Sequence, residues 1–233
     1  MAVVPILTTA SKAPEFSEPE TVPLRRLFQI SPLAMVGMGL QGLTASMILG
    51  MGAVFTSTIG MTNQQGSIFL ASITIANVIM QYPIGRLSDR FDRRLVILFV
   101  TTFSALAAAI ASFIGLSNYL ALVILAALFG GFSMTIYSLC IAHANDYLSP
   151  SQMIGTASAL ITVNGIGAIF GPPIIAILMD LFGSFMFFAI LSSVHVGLGL
   201  FVLARMSLRE SVPAEAQGPF IAVPDQGTAV AAS

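Results

Sequence analysis

Apolar residues run along this chain in long unbroken stretches and do not alternate with polar ones. No residue from Leu27 to Gly85 is charged, and from Leu95 to Ala204 only Asp146 and Asp180 are, with His143 and His195 as the imidazoles. An α-helix rises about 1.5 Å per residue and the bilayer hydrocarbon is about 30 Å thick, so about 20 apolar residues suffice to cross it. The pattern predicts six spans at 32–55, 67–85, 95–114, 119–144, 152–179 and 185–205, within a membrane domain of residues 32–206. Strand-like alternation is missing, which argues for an all-α integral membrane bundle and against a β-barrel.

Composition narrows the function. Of 233 residues, 56% are apolar and 8% charged, with a mean hydropathy of +0.94. Soluble domains carry about 25% charged residues. Six spans leave no room for a soluble catalytic domain, so the chain is not expected to be an enzyme. A net charge of −1 predicts no nucleic-acid partner. One cysteine, Cys140, excludes a disulfide framework and any cysteine-based cluster, and neither cofactor nor metal is expected.

All nine basic residues fall on one side of this topology. Lys12, Arg25, Arg26, Arg86, Arg90, Arg93, Arg94, Arg205 and Arg209 lie in the two tails and the 86–94 loop, while loops 56–66, 115–118 and 180–184 hold none. The positive-inside rule then places both termini in the cytoplasm. Residues 1–31, with prolines at 5, 14, 19 and 23, read as a linker-like cytoplasmic segment, and 207–233 as a disordered cytoplasmic tail. Asp146, with His143 at the same span end, and Asp180 at another read as solvated or helix-capping acids.

The turn between spans two and three carries the densest charge: Gly85-Arg-Leu-Ser-Asp-Arg-Phe-Asp-Arg-Arg-Leu95. Gly85 permits close helix packing, and Asp89 is an anion among Arg86, Arg90, Arg93 and Arg94. This turn resembles the signature loop of the major facilitator superfamily, G-x-L-a-D-r-x-G-r-k. Gly85, Leu87, Asp89, Arg90, Arg93 and Arg94 match, and Asp92 stands where that family usually has glycine. Gly167-Ala-Ile-Phe-Gly171-Pro172 is similar to the family's G-x-x-x-G-P element, with Ile175 and Ala176 replacing its following glycine pair. Ser31-Pro32-Leu33 and the stretch from Tyr137 to Leu148 resemble the C-terminal half of bacterial facilitators of unassigned substrate.

The resemblance implies one six-span half, a 3+3 inverted repeat, of a twelve-span secondary transporter in the bacterial inner membrane. It implies transport of a small solute by alternating access, with a proton or another cation as coupling ion. One half cannot enclose a pathway, so a second six-span half, either another copy or a separate chain, is the expected partner alongside the lipid bilayer. In the resembled family the signature-loop aspartate meets a helix terminus of the opposite half. Ser149-Pro150-Ser151-Gln152 has the capping-box spacing for such a terminus at the start of span five.

Polar residues inside the spans supply the candidate site. Gln41 in span one, Asn77 and Gln81 in span two, Tyr137 in span four and Asn164 in span five are candidates for a solute pathway. The competing reading is interhelical hydrogen bonding, worth about 0.6 kcal/mol per bond on average. His195, near the middle of span six, is a candidate for proton coupling. Two other functions stay open. One is a truncated or split-gene fragment without transport, which the linker-like N-terminus suggests. The other is an intramembrane serine protease. Gly131-Phe-Ser133 with His195-Val-Gly197 resembles the rhomboid family, although Met134 replaces that family's glycine and span two lacks a histidine.

Overall fold

A computed structural model describes residues 22–114, 118–208, 217–218 and 220. Helices form wherever the apolar runs predict them, and the described residues contain no strand. The order is α1 (Leu24–Ile30), α2 (Pro32–Thr58), α3 (Asn63–Ser88), α4 (Arg93–Ile114), α5 (Tyr119–Ser133), α6 (Ile136–Asn145), α7 (Pro150–Phe182) and α8 (Met186–Leu208). Six helical segments are long and apolar enough to cross a membrane, α5 and α6 together forming the fourth.

Local chemistry sets the ends. Proline opens α2 and α7 at the first helical position, where a missing N–H costs nothing. Gly60 and Gly183, at φ +79° and +99°, turn the chain after α2 and α7. Thr62 begins α3 with a complete capping box. Its hydroxyl accepts the Gln65 N–H at 3.3 Å, and the Gln65 side chain accepts the Thr62 N–H at 3.0 Å. Thr62-Asn-Gln-Gln65 has the required spacing, which a span starting at 67 overlooks. The expected box at Ser149–Gln152 does not form. Ser149 makes no side-chain cap and its hydroxyl meets the Ser151 hydroxyl at 3.0 Å, so local hydroxyl pairing wins over capping.

The fourth span breaks between Ser133 and Ile136. There the Thr135 hydroxyl bonds back to the Phe132 carbonyl at 2.6 Å, a contact that bends helices. Residues 1–21 of the linker-like segment lie outside the described residues. Its last part is the short helix α1, with Leu27 fully buried. Of the tail, residues 207–208 continue α8, and Gln217, Gly218 and Phe220 are described; the others lie outside the described residues.

Helix by helix, the most extensive contacts pair α2 with α7, α3 with α5, and α4 with α8. Glycines bring α2 against α7 backbone to backbone: a Cβ on Gly42 would overlap the Asn164 carbonyl, and one on Gly167 the Gly39 carbonyl. Two apolar clusters fill the interior. One, at the arginine end, centres on Met38, Ile97, Tyr137, Cys140 and Leu198. At the other end Phe55 stacks on Phe187 at 4.2 Å, with Phe69 and Phe188 around them.

Candidate functional site

The signature turn folds as a charge-clamped corner. Asp89 follows the last residue of α3, and Asp92 precedes α4. Asp92 explains its own departure from glycine: its carboxylate accepts the Arg94 N–H at 2.9 Å, an N-cap, and holds the Arg94 guanidinium at 2.8 Å. Burial pushes the Asp92 carboxyl up, but the Arg94 side-chain and backbone hydrogen bonds and charge outweigh it. The group therefore titrates below the ordinary carboxylate range.

Arg93 turns inward and is buried. It bonds to the Asp146 carboxylate and to the Ala142 carbonyl of α6, each at 2.6 Å, and to the Gly218 carbonyl. Asp146 is thus neither solvated nor merely capping, as its place at a span end suggests; its side chain is 2% exposed and tied to a guanidinium. Burial raises its carboxyl to about 6, against the opposing pull of Arg93 and the Gly218 N–H. Asp89 lies 3.8 Å from Arg93 and accepts the Phe220 N–H at 2.7 Å. A Cβ on Gly85 would collide with the Phe220 ring, so the glycine there makes room for the tail. Arg90 is exposed, and Arg86 lies over the Tyr82 ring at 4.7 Å. Its position at a span end made Asp146 read as a solvated or capping acid, when a lone acid there was the signal for a buried pair; nothing in the sequence pointed to Phe220.

The mid-span polar residues separate into tied and untied groups. Asn164 donates to the Met38 carbonyl at 3.1 Å and so joins α7 to α2. Tyr137 is packed in the arginine-end core. Gln41, 2% exposed, donates to the Met134 sulfur at 3.5 Å at the break in span four, and its carbonyl oxygen has no partner. Asn77 of α3 likewise has a buried, unpartnered carbonyl oxygen. Its neighbour Ala76 packs at Gly131, three residues (about 4.5 Å along a helix) from Met134. Two orphan amide acceptors thus lie inside the bundle, Gln41 at the break in span four and Asn77 on α3 in the stretch that packs against α5. Gln81, one turn on, is half-buried.

His195 is sealed. Its Nδ1 lies 2.8 Å from the Leu191 carbonyl and its Nε2 2.9 Å from the Ser133 hydroxyl, with the Phe129 ring edge-on at 5.1 Å. A carbonyl only accepts, so Nδ1 carries the hydrogen and Nε2 receives the serine proton. The structure therefore brings together the serine and histidine singled out as a protease pair. Their 0% and 2% exposure leaves no path for a peptide, and the bond ties span four to span six.

Residues 34–229 match the family described as Major Facilitator Superfamily. The chain belongs to this superfamily. Among its relatives, one described as Uncharacterized MFS-type transporter YcaD, from Escherichia fergusonii, is 26% identical over 211 residues, 90% of this chain and 53% of the relative. One of the same description from Escherichia coli O17:K52:H18 is 28% identical over 179 residues, 77% of this chain and 44% of the relative. The chain spans about half the length of the curated relatives it matches. As a superfamily member with six apolar helices, it is a multi-pass membrane protein of a secondary-transporter family.

Proposed function

We propose that the chain works as one six-span half of a secondary transporter in the bacterial inner membrane. It moves a small solute by alternating access once a second half docks on α3 and α7. The carrying observation is the uneven burial of the spans. Only 22% of the most apolar stretch of α3 and 11% of that of α7 is buried, against 44–56% in the other four. Those same two helices hold Thr74, Ser158 and Thr162 exposed and Asn77 and Gln81 half-buried. The Thr74 and Thr162 hydroxyls bond back to carbonyls of their own helices, whereas the Asn77 carbonyl oxygen has no partner; polar groups left against lipid are costly, and a facing half with a wet cavity would relieve that cost.

The pairing of helices supports the inverted-repeat reading. Exchanging span one with four, two with five and three with six converts the one–five pairing into four–two and leaves three–six unchanged. These pairings are among the most extensive in the bundle, although the contact between spans three and four is comparably extensive and has no equally large counterpart between spans six and one. The arginines cluster at one end, which supports cytoplasmic termini. Gln41 and Asn77 offer carbonyl oxygens to a solute carrying N–H or O–H donors. A coupling role for His195 requires a proton on Nε2, which would reverse the Ser133 hydrogen bond. Asp89 serves as the latch toward a helix terminus of the second half.

The test places single cysteines at Ser158, Thr162 and Val78 of the full chain in native membranes. Labelling by a water-soluble maleimide at 158 and 162, with cross-linking from 78 to a second six-span polypeptide, is the expected result. In Asp89→Asn protein, labelling from the arginine end should rise. A monomer whose 158 and 162 positions stay sealed in lipid would overturn the reading and leave a fragment without transport.

A further inference from the structure

We propose that α1 is an interfacial anchor, lying along the membrane surface at the arginine end and selecting anionic phospholipids there. Its partner is the lipid headgroup layer, and the inference is independent of whether a second half docks.

The chain breaks between α1 and α2. Proline disfavours helical backbone in the residue before it, and Ser31, ahead of Pro32, sits at φ −137° and ψ 73°. α1 is therefore a separate helix and does not prolong the membrane-spanning α2. It is also held against the bundle. Leu27 is fully buried, and with Val22 it belongs to the arginine-end core together with Ile141 and Ala144 of α6 and Val202 of α8. Seven residues make two turns, too few to stay helical in water without packing. Leu27 supplies that packing on one side only.

The periodicity of about 100° per residue sorts α1 into three faces. Leu27 and Ile30 pack on the core. Leu24 and Phe28, one turn apart on the neighbouring face, are exposed although both are large and apolar. Arg25, Arg26 and Gln29 occupy the remaining side and are exposed as well. A helix with leucine and phenylalanine on one side and arginine on the other lies in the plane of the interface, its apolar side dipping into the acyl boundary. At the end of a membrane-spanning bundle, Leu24 and Phe28 are thereby covered by lipid.

Charge decides which lipid. Arg25 and Arg26 form no ion pair among the described residues, and the carboxylates of Asp89, Asp92 and Asp146 are engaged by Arg93 and Arg94. Two adjacent guanidinium groups above the acyl boundary attract the phosphodiester charge of phosphatidylglycerol, and each basic residue near an anionic surface strengthens the attachment. Phosphatidylcholine carries no net charge to meet them.

The chain contains no tryptophan, so Phe28→Trp in the full chain installs a single fluorophore on the face in question and keeps an aromatic ring there. The protein is placed in nanodiscs of phosphatidylcholine and phosphatidylglycerol, with one lipid or the other carrying brominated acyl chains that quench an indole on contact. Blue-shifted emission and little quenching by aqueous acrylamide are expected. Brominated phosphatidylglycerol should quench at least about twofold more strongly than the same amount of brominated phosphatidylcholine. Adding Arg25→Gln and Arg26→Gln should abolish that difference while the indole stays in lipid. Phe113→Trp, exposed at the far end of α4 beside a loop without basic residues, is the reference and should be quenched equally by both lipids. Free quenching of Phe28→Trp by acrylamide would overturn the proposal by placing α1 in water. An indole shielded from acrylamide and bromine alike would overturn it in favour of a protein partner. Equal quenching by the two brominated lipids, or a difference that survives the paired arginine substitutions, would overturn the anionic selection.

Discussion

Two glycines, two residues apart on α7, should respond oppositely to the same methyl group. At Gly167 an added Cβ would overlap the Gly39 carbonyl oxygen, and it would lie 2.9 Å from the Gly39 carbonyl carbon and 3.1 Å from the Leu43 nitrogen. Every one of these neighbours is backbone, so no side chain can swing aside. Carbon contacts settle at about 3.5–4.0 Å, and restoring that spacing requires α2 and α7 to part by about 1 Å. Overpacking of this kind costs about 1–3 kcal/mol. The Asn164 to Met38 hydrogen bond crosses the same seam, and its loss adds about 0.6 kcal/mol. Alanine also gains about 1 kcal/mol of helix propensity here, so Gly167→Ala should destabilise the bundle by about 2 kcal/mol, roughly thirtyfold in the folded-to-unfolded ratio. At Gly165 nothing lies within 4 Å of the added atom, and alanine gains helix propensity of about 1 kcal/mol. Reversible unfolding of the six-span unit in mixed micelles with increasing dodecyl sulfate, followed by circular dichroism, reads both variants. If Gly167→Ala unfolds within about 0.5 kcal/mol of Gly165→Ala, within the usual noise of a neutral surface change, the close seam between α2 and α7 is wrong.

Three further predictions use the same unfolding measurement. Thr62→Ala removes a formed cap and should cost about 1 kcal/mol, whereas Ser149→Ala, where no cap bond forms, should be close to neutral; equal effects would contradict the cap assignments. Asp92→Gly, which installs the residue usual in the superfamily, removes the α4 cap and the Arg94 clamp together and should destabilise by about 1–2 kcal/mol. The Asp146 carboxyl titrates at about 6 when folded, above the ordinary unfolded value near 3.9. Its stabilising contribution is complete below about pH 4 and is lost as pH rises through about 6. Asp146→Asn should remove that slope in unfolding temperature, and an unchanged slope would count against it. Asp92 has the opposite sign, losing its contribution as pH falls below the ordinary carboxylate range.

The sequence alone determined the number of spans, the helical class and the gathering of arginines at one end. These follow from local requirements: hydrocarbon admits only segments whose backbone polar groups are satisfied within the segment, and it rejects charge wherever the charge falls. The signature turn was legible because its six matching residues all fall between positions 85 and 94, within one short stretch of the chain. Which face of each helix turns inward was not legible. α7 and α8 are apolar nearly all round, and lipid is as apolar as leucine, so hydropathy does not distinguish a lipid-facing side from a packed one. Only the tertiary structure decided that Asn164 joins α7 to α2 while Gln41 and Asn77 keep unpartnered oxygens. It also turned His195 toward Ser133, drew Arg93 onto Asp146 and set Phe220 beside Asp89. Each of these contacts joins residues more than fifty positions apart, or depends on which side chain a neighbouring helix leaves unpaired, and such pairings arise only once the helices have packed.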